Sequence, residues 1–136
     1  MRRRVRARNA AAFAAAAVTA ATATALAAGA APPTRGAAAE RCGWIVNPTP
    51  GNWSLVDRDG SWEIAAQGGY HAEGMDRIPD LSARDWTVTN GSSYGYGCGC
   101  MRVAADARRQ RVARILAVRQ KPLGACRADP RLKRPH

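Results

Sequence analysis

The sequence predicts a mainly β protein: a small antiparallel sheet or barrel-like domain stapled by two disulfides and preceded by a signal-peptide helix. Three observations carry that expectation. Two apolar–polar alternating runs flank Asp59-Gly60, a stretch of strict period two runs from Tyr94 to Cys100, and four cysteines stand in a chain of 136 residues. Period two puts alternate side chains on opposite faces of a strand, and Asp-Gly between two such runs is a strong hairpin signal.

The first segment reads as targeting rather than fold. Arg2, Arg3, Arg4, Arg6 and Arg8 form a basic head, and no charge follows from Ala10 to Ala31. With small residues at Ala25-Leu26-Ala27 and Ala28-Gly29-Ala30, residues 1–30 have the form of a secretory signal peptide, cleaved between Ala27 and Ala31. The apolar stretch is mostly Ala and Thr, a weak driving force for a permanent membrane span. Ala39-Glu40-Arg41 before Cys42 does not resemble a lipidation site. Residues 31–40 read as a flexible leader, 41–130 as a disulfide-bonded β domain and 131–136 as a basic disordered tail. The expected location is periplasmic or secreted.

In an oxidising compartment the four cysteines pair. A Cys98–Cys100 bond would close a very small ring, and on a strand those side chains share a face. Each therefore reaches Cys42 or Cys126, as 42–98 with 100–126 or as 42–100 with 98–126. Closing loops of this size contributes roughly 3–4 kcal/mol each, help that so small a domain needs.

Within the domain, Cys42 to Val46 is a short apolar run ended by a turn or ordered loop, Asn47-Pro48-Thr49-Pro50-Gly51-Asn52. Trp53 to Asp57 and Trp62 to Ala65 form the hairpin, with Trp53, Leu55, Trp62 and Ile64 on its buried face. Residues 67–85 are irregular, and Trp86 to Thr89 is a short strand. In Tyr94 to Val103 the glycine side presents bare backbone, so something packs closely there or the strand bends. Residues 111–120 are ambiguous: Val112, Ile115, Leu116 and Arg119 suit a helix, whereas Val112, Leu116 and Val118 suit a strand. β-branched content and hairpin-like spacing favour the strand. Most of the four tryptophans are expected in the core, because few Leu and Ile are available to fill it.

Catalytic chemistry is poorly provided for. His71 and His136 are the only histidines, and neither pairs with a nucleophile at a hydrolase-like spacing. No catalytic residue, metal or cofactor is expected, and the chain reads as non-enzymatic. Asp57-Arg58-Asp59-Gly60 begins like a calcium loop, but its glycine comes at position four and no glutamate follows at position twelve. Cys98, Cys100, Met101 and His71 are soft ligands that would hold copper(I) only as free thiols, which makes a metal or redox protein the third reading.

Charge supports binding better. The formal net charge is +11, but from Ala28 onward 16 basic and 10 acidic residues leave about +6. Residues 40–100 carry −4 and residues 101–136 carry +9. Arg102, Arg111 and Arg119, with Tyr94 and Tyr96, are the candidate binding surface, suited to anionic envelope components or an exported protein and not to nucleic acid. The second reading is an exported hydrolase inhibitor that inserts the Asn47–Asn52 loop.

Five stretches together resemble a known pattern. They are Cys42-Gly43-Trp44; Asn47 to Asn52; the Leu55-x-Asp57-x-Asp59-Gly60-x-Trp62 hairpin; Tyr94-Gly95-Tyr96-Gly97-Cys98-Gly99-Cys100-Met101; and Cys126-Arg127-x-Asp129-Pro130. Over residues 41–132 the chain resembles the bacterial domain of unknown function 4087. The resemblance implies an exported protein and lends no functional residue.

Overall fold

A computed structural model of the chain describes residues 36–136, so the expected signal peptide and the first part of the leader lie outside the described residues. Alternation becomes strand wherever it was strict. The strands are β1 (Ala39–Thr49), β2 (Asn52–Asp57), β3 (Gly60–Ala65), β4 (Trp86–Asn90), β5 (Tyr94–Asp106) and β6 (Arg111–Lys121). One short helix follows, α1 (Leu123–Arg127), and single 3₁₀ turns occupy Met75–Arg77 and Leu81–Ala83.

The sheet runs β1-β2-β3-β6-β5-β4, and β5 also pairs back to β1, so five strands form a ring with β4 added at its side. Every long ladder is antiparallel, from β1–β5 (Ala39↔Val103 to Asn47↔Gly95) to β5–β6 (Cys98↔Lys121 to Asp106↔Arg111). The mixed character of the sheet comes from one parallel pair, Glu63↔Arg111, between β3 and β6. That thin junction is filled by the segment after β3. Ala72 N–H donates to Ile64 C=O, Glu73 N–H to Ala113 C=O and Ile115 N–H to Glu73 C=O, at 2.9, 3.0 and 2.8 Å.

Alternation sorts the wall into two apolar faces. Ile45, Leu55, Trp62, Ile64, Met101, Val103, Val112 and Ile115 form the buried interior, with Trp53 and Trp86 packed partly against it. On the outside a smaller cluster joins Trp44, Cys98 and Cys126, with Tyr96, Leu123 and Leu132 packed against it. The hairpin therefore places Leu55, Trp62 and Ile64 inward as expected, with Trp53 at the margin. The glycine side of β5 is the close-approach side. A Cβ on Gly97 would lie 2.7 Å from the Trp86 ring, and one on Gly99 would lie 2.7 Å from Ile45 Cδ1 and 3.0 Å from the Arg119 carbonyl oxygen.

Several boundaries differ from the expectation. Of the two readings of Asn47 to Asn52 the structure has the turn, narrowed to Pro50-Gly51, because β1 continues through Thr49, which pairs with Asn52. Pro48, which has no N–H to donate, falls where the β1–β2 register shifts between Val46 and Thr49. At the start, Ala39 and Glu40 belong to β1 rather than to a leader, because they pair with Val103 and Arg102. At the end, Leu132 packs on the outer cluster and its N–H bonds to Asp129 C=O at 3.1 Å, so the tail is anchored that far.

The ambiguous segment 111–120 is a strand. Two register shifts opposite β5, between Arg102 and Val103 and between Ala104 and Ala105, turn Val112, Ile115 and Val118 toward the interior. The sequence pattern placed Leu116 inward in place of Ile115; a bulge adds one residue and reverses the faces beyond it.

Candidate functional site

The two disulfides are Cys42–Cys100 and Cys98–Cys126. Cys42 and Cys100 are direct cross-strand partners with Cα atoms 4.0 Å apart, while Cys98, on the same face of β5, reaches out to Cys126 in α1. This selects one of the two pairings left open by the sequence. Among the described residues no cysteine is free.

Around these bridges the antiparallel register lines up three rows on the outer face. Glu40, Arg102 and Ala117 form one; Cys42, Cys100 and Arg119 the next; Trp44, Cys98 and Lys121 the third. A shallow cavity of about 290 Å³ lies over the bridges, with Arg58, Arg119 and Lys121 in its wall beside Glu40 and Asp129. Arg119 donates to Glu40 Oε1 at 3.2 Å, a pair more than half exposed on both sides and therefore weak. Arg102 is exposed, and neither it nor Lys121 makes an ion pair among the described residues. Asp129 is held below the usual carboxylate range, chiefly by its hydrogen bond from the Arg131 side chain, with Arg58 adding a smaller attraction.

The residues singled out from sequence divide accordingly. Tyr94, Tyr96 and Arg102 lie in one outward column of β5, and Arg119, opposite Cys100, lies on the same face one row from Arg102. Tyr96 is half-buried because it packs edge-on against Trp44, ring centroids 5.3 Å apart. Arg111 is not part of this face. It sits at the other end of β6, bonded to Glu63 and lying 4.4 Å over the Tyr70 ring, beside a cavity of about 710 Å³ that includes His71 and Arg108.

Other cations are similarly committed to the fold. Arg41 bonds Asp57 at 2.6 Å and Asp59 at 3.0 Å and lies 3.8 Å over the Trp62 ring. Burial opposes its charge, but the hydrogen bonds to the two carboxylates outweigh burial and raise its pKa. Asp57, the buried acid beside the hairpin turn, also accepts from Trp62 Nε1 at 2.9 Å and from Asp59 N–H at 2.8 Å. Its oxygens are taken up by the hairpin itself.

The soft-ligand set does not assemble. Met101 is fully buried on the interior face, His71 lines the distant cavity, and Cys98 and Cys100 are tied up in separate disulfides. Glu40 comes within 4.8 Å of the Cys42 and Cys100 sulfurs, which form a bridge rather than a thiolate pair. Lys121 shares parity with Arg119 on the strand, as the sequence implied, whereas sequence reasoning missed Arg58 as a member of the outer face. Arg58 is placed there by the hairpin turn, which no strand parity reveals.

No helix among the described residues is long and apolar enough to cross a membrane. No curated protein and no solved structure matches the chain. The family model described as a protein of unknown function, DUF4087, matches residues 36–133, which spans every strand among the described residues, both disulfides and α1. The chain belongs to the DUF4087 family.

Proposed function

We propose that this domain is an exported, non-catalytic module that docks onto an anionic polymer of the cell envelope through the outer face of β5 and β6. The observation that carries this reading is the outer face around the two disulfides: Arg119 and Lys121 line the shelf, Arg102 stands in the next row, and among the described residues Arg102 and Lys121 have no ion pair while Arg119 has only an exposed one. Cations whose pairing is already satisfied add little to a further anion, whereas unpaired ones keep their attraction until salt screens it. The excess of +9 in residues 101–136 supplies the longer-range field. Export is supported by the disulfides and by the basic and apolar residues at the start of the chain.

The test is retention of the oxidised protein on heparin and on immobilised lipopolysaccharide along a salt gradient. The double variant Arg102→Glu with Lys121→Glu should elute at clearly lower salt than the wild type, with unchanged melting. Equal elution would sink the assignment to this face. Location is checked separately, by cell fractionation and by the N-terminal residue of the processed chain.

A further inference from the structure

A second surface has chemistry opposite to the basic shelf. At the end of the ring where β1 turns into β2, a groove of about 310 Å³ is lined by Trp53, Trp86, Met75 and Ile78, with Asp80, Ser82 and Ser93 also in its wall. Both indoles are half-buried, so each keeps part of its surface in the groove. They do not stack on each other, since the ring–ring contact among the described residues is that of Trp44 with Tyr96. Trp86 is held in place by its Nε1–H, which donates to Ser93 C=O at 3.1 Å. Trp53 Nε1 has no partner among the described residues. Asp80 uses one oxygen, Oδ1, to accept from Ser82 N–H at 3.0 Å and Ser82 Oγ–H at 2.6 Å, which leaves Oδ2 open.

We propose that this groove is a saccharide-binding site for an uncharged or amino sugar. Sugar rings combine an apolar C–H face with a rim of hydroxyls, and aromatic faces next to a few fixed polar atoms match that combination. The volume is at the lower end of the small-ligand range of about 300–1,000 Å³, which suits one or two rings at a chain end. Charge excludes the ligand of the basic shelf: the formally charged residue in the lining is Asp80, and residues 40–100 carry −4. A strand-like peptide would need the β4 edge, yet β4 contributes Trp86 alone to the lining.

The test titrates N-acetylchitotriose and cellotriose into the oxidised protein, followed by tryptophan emission and amide chemical shifts. At least one probe should bind saturably. Asp80→Asn should weaken it by about fivefold or more, the loss expected for one hydrogen bond. Trp53→Ala should abolish it, while the Asp80→Asn variant keeps its heparin elution and the amide chemical shifts of a folded domain. No response from either probe at about 10 mM, where even a weak site fills, would overturn the proposal. So would affinity unchanged in both variants. Sugar binding lost in the Arg102→Glu, Lys121→Glu protein would move the site to the basic shelf, whereas failure of heparin retention alone leaves this groove standing.

Discussion

Two tryptophans show how burial and hydrogen bonding separate at the level of one residue. Trp44 is 1% exposed, and its Nε1–H has no acceptor among the described residues. A buried donor without a partner costs about 1–3 kcal/mol. Trp44→Phe removes that donor and keeps a ring against Tyr96, so stability in urea should change by less than about 1 kcal/mol, since the two effects offset. Trp62→Phe is the same substitution with the opposite result. It deletes the bond to Asp57 and weakens the stack under Arg41, and it should cost about 1.5–3 kcal/mol on the same measurement. Acid should act through three surface aspartates. Asp80 is lowered chiefly by the Ser82 hydroxyl, Asp106 by the Arg109 backbone N–H and Asp129 by the Arg131 side chain. A carboxyl whose folded pKa lies below its unfolded value of about 3.9 adds stability above that value and loses it as pH falls through the folded pKa. Melting temperature should therefore decline below about pH 4, and Asp106→Asn should flatten part of that decline.

At the scale of elements, β5 is the strand on which the ring depends, because it pairs with β1, β6 and β4. Its glycine side leaves no room for a methyl group. Gly99→Ala should cost about 1–3 kcal/mol in chemical denaturation, since both Ile45 and the Arg119 carbonyl would have to move. A stability equal to wild type would show that β5 can shift away. The hairpin and the period-two core of β5 were legible in the residues, since there one rule, alternation, decides everything. β6 was harder for a physical reason. Its inward residues, Val112, Ile115 and Val118, stand three apart because bulges reset the register, and a spacing of three is what a helix would also show. The Asn47–Asn52 segment showed its turn but not its extent: a register shift accommodates Pro48 inside a paired strand, so the turn shrinks to Pro50-Gly51. Part of the candidate site was visible for the same reason as β5. Arg102 and Arg119 fall on one face by pairing, whereas Arg111 is captured by Glu63 and Tyr70, residues more than forty positions earlier that no local pattern connects to it.

For the whole molecule, the bridges join the ends of the described domain to one central strand. Cys98→Ser and Cys100→Ser should each lower stability by roughly 3 kcal/mol. They should also release different thiols. Cys100→Ser should expose Cys42 to alkylation and Cys98→Ser should expose Cys126, as peptide mapping would show. The reverse assignment would overturn the observed pairing.

The order of those bridges along the chain bears on how the protein acquires them. Cys42 joins Cys100 while Cys98 joins Cys126, so the two covalent loops interleave, and neither closes between cysteines that are neighbours in sequence. A chain emerging N-terminus first would present Cys98 to a waiting Cys42 before Cys100 arrives, and oxidation in order of appearance would make the wrong bond. The native bond needs the β1–β5 register, which sets Cys42 opposite Cys100 and Trp44 opposite Cys98. The native pair therefore forms directly only where strand alignment precedes oxidation, and a chain oxidised in order of appearance would reach it only through thiol–disulfide exchange.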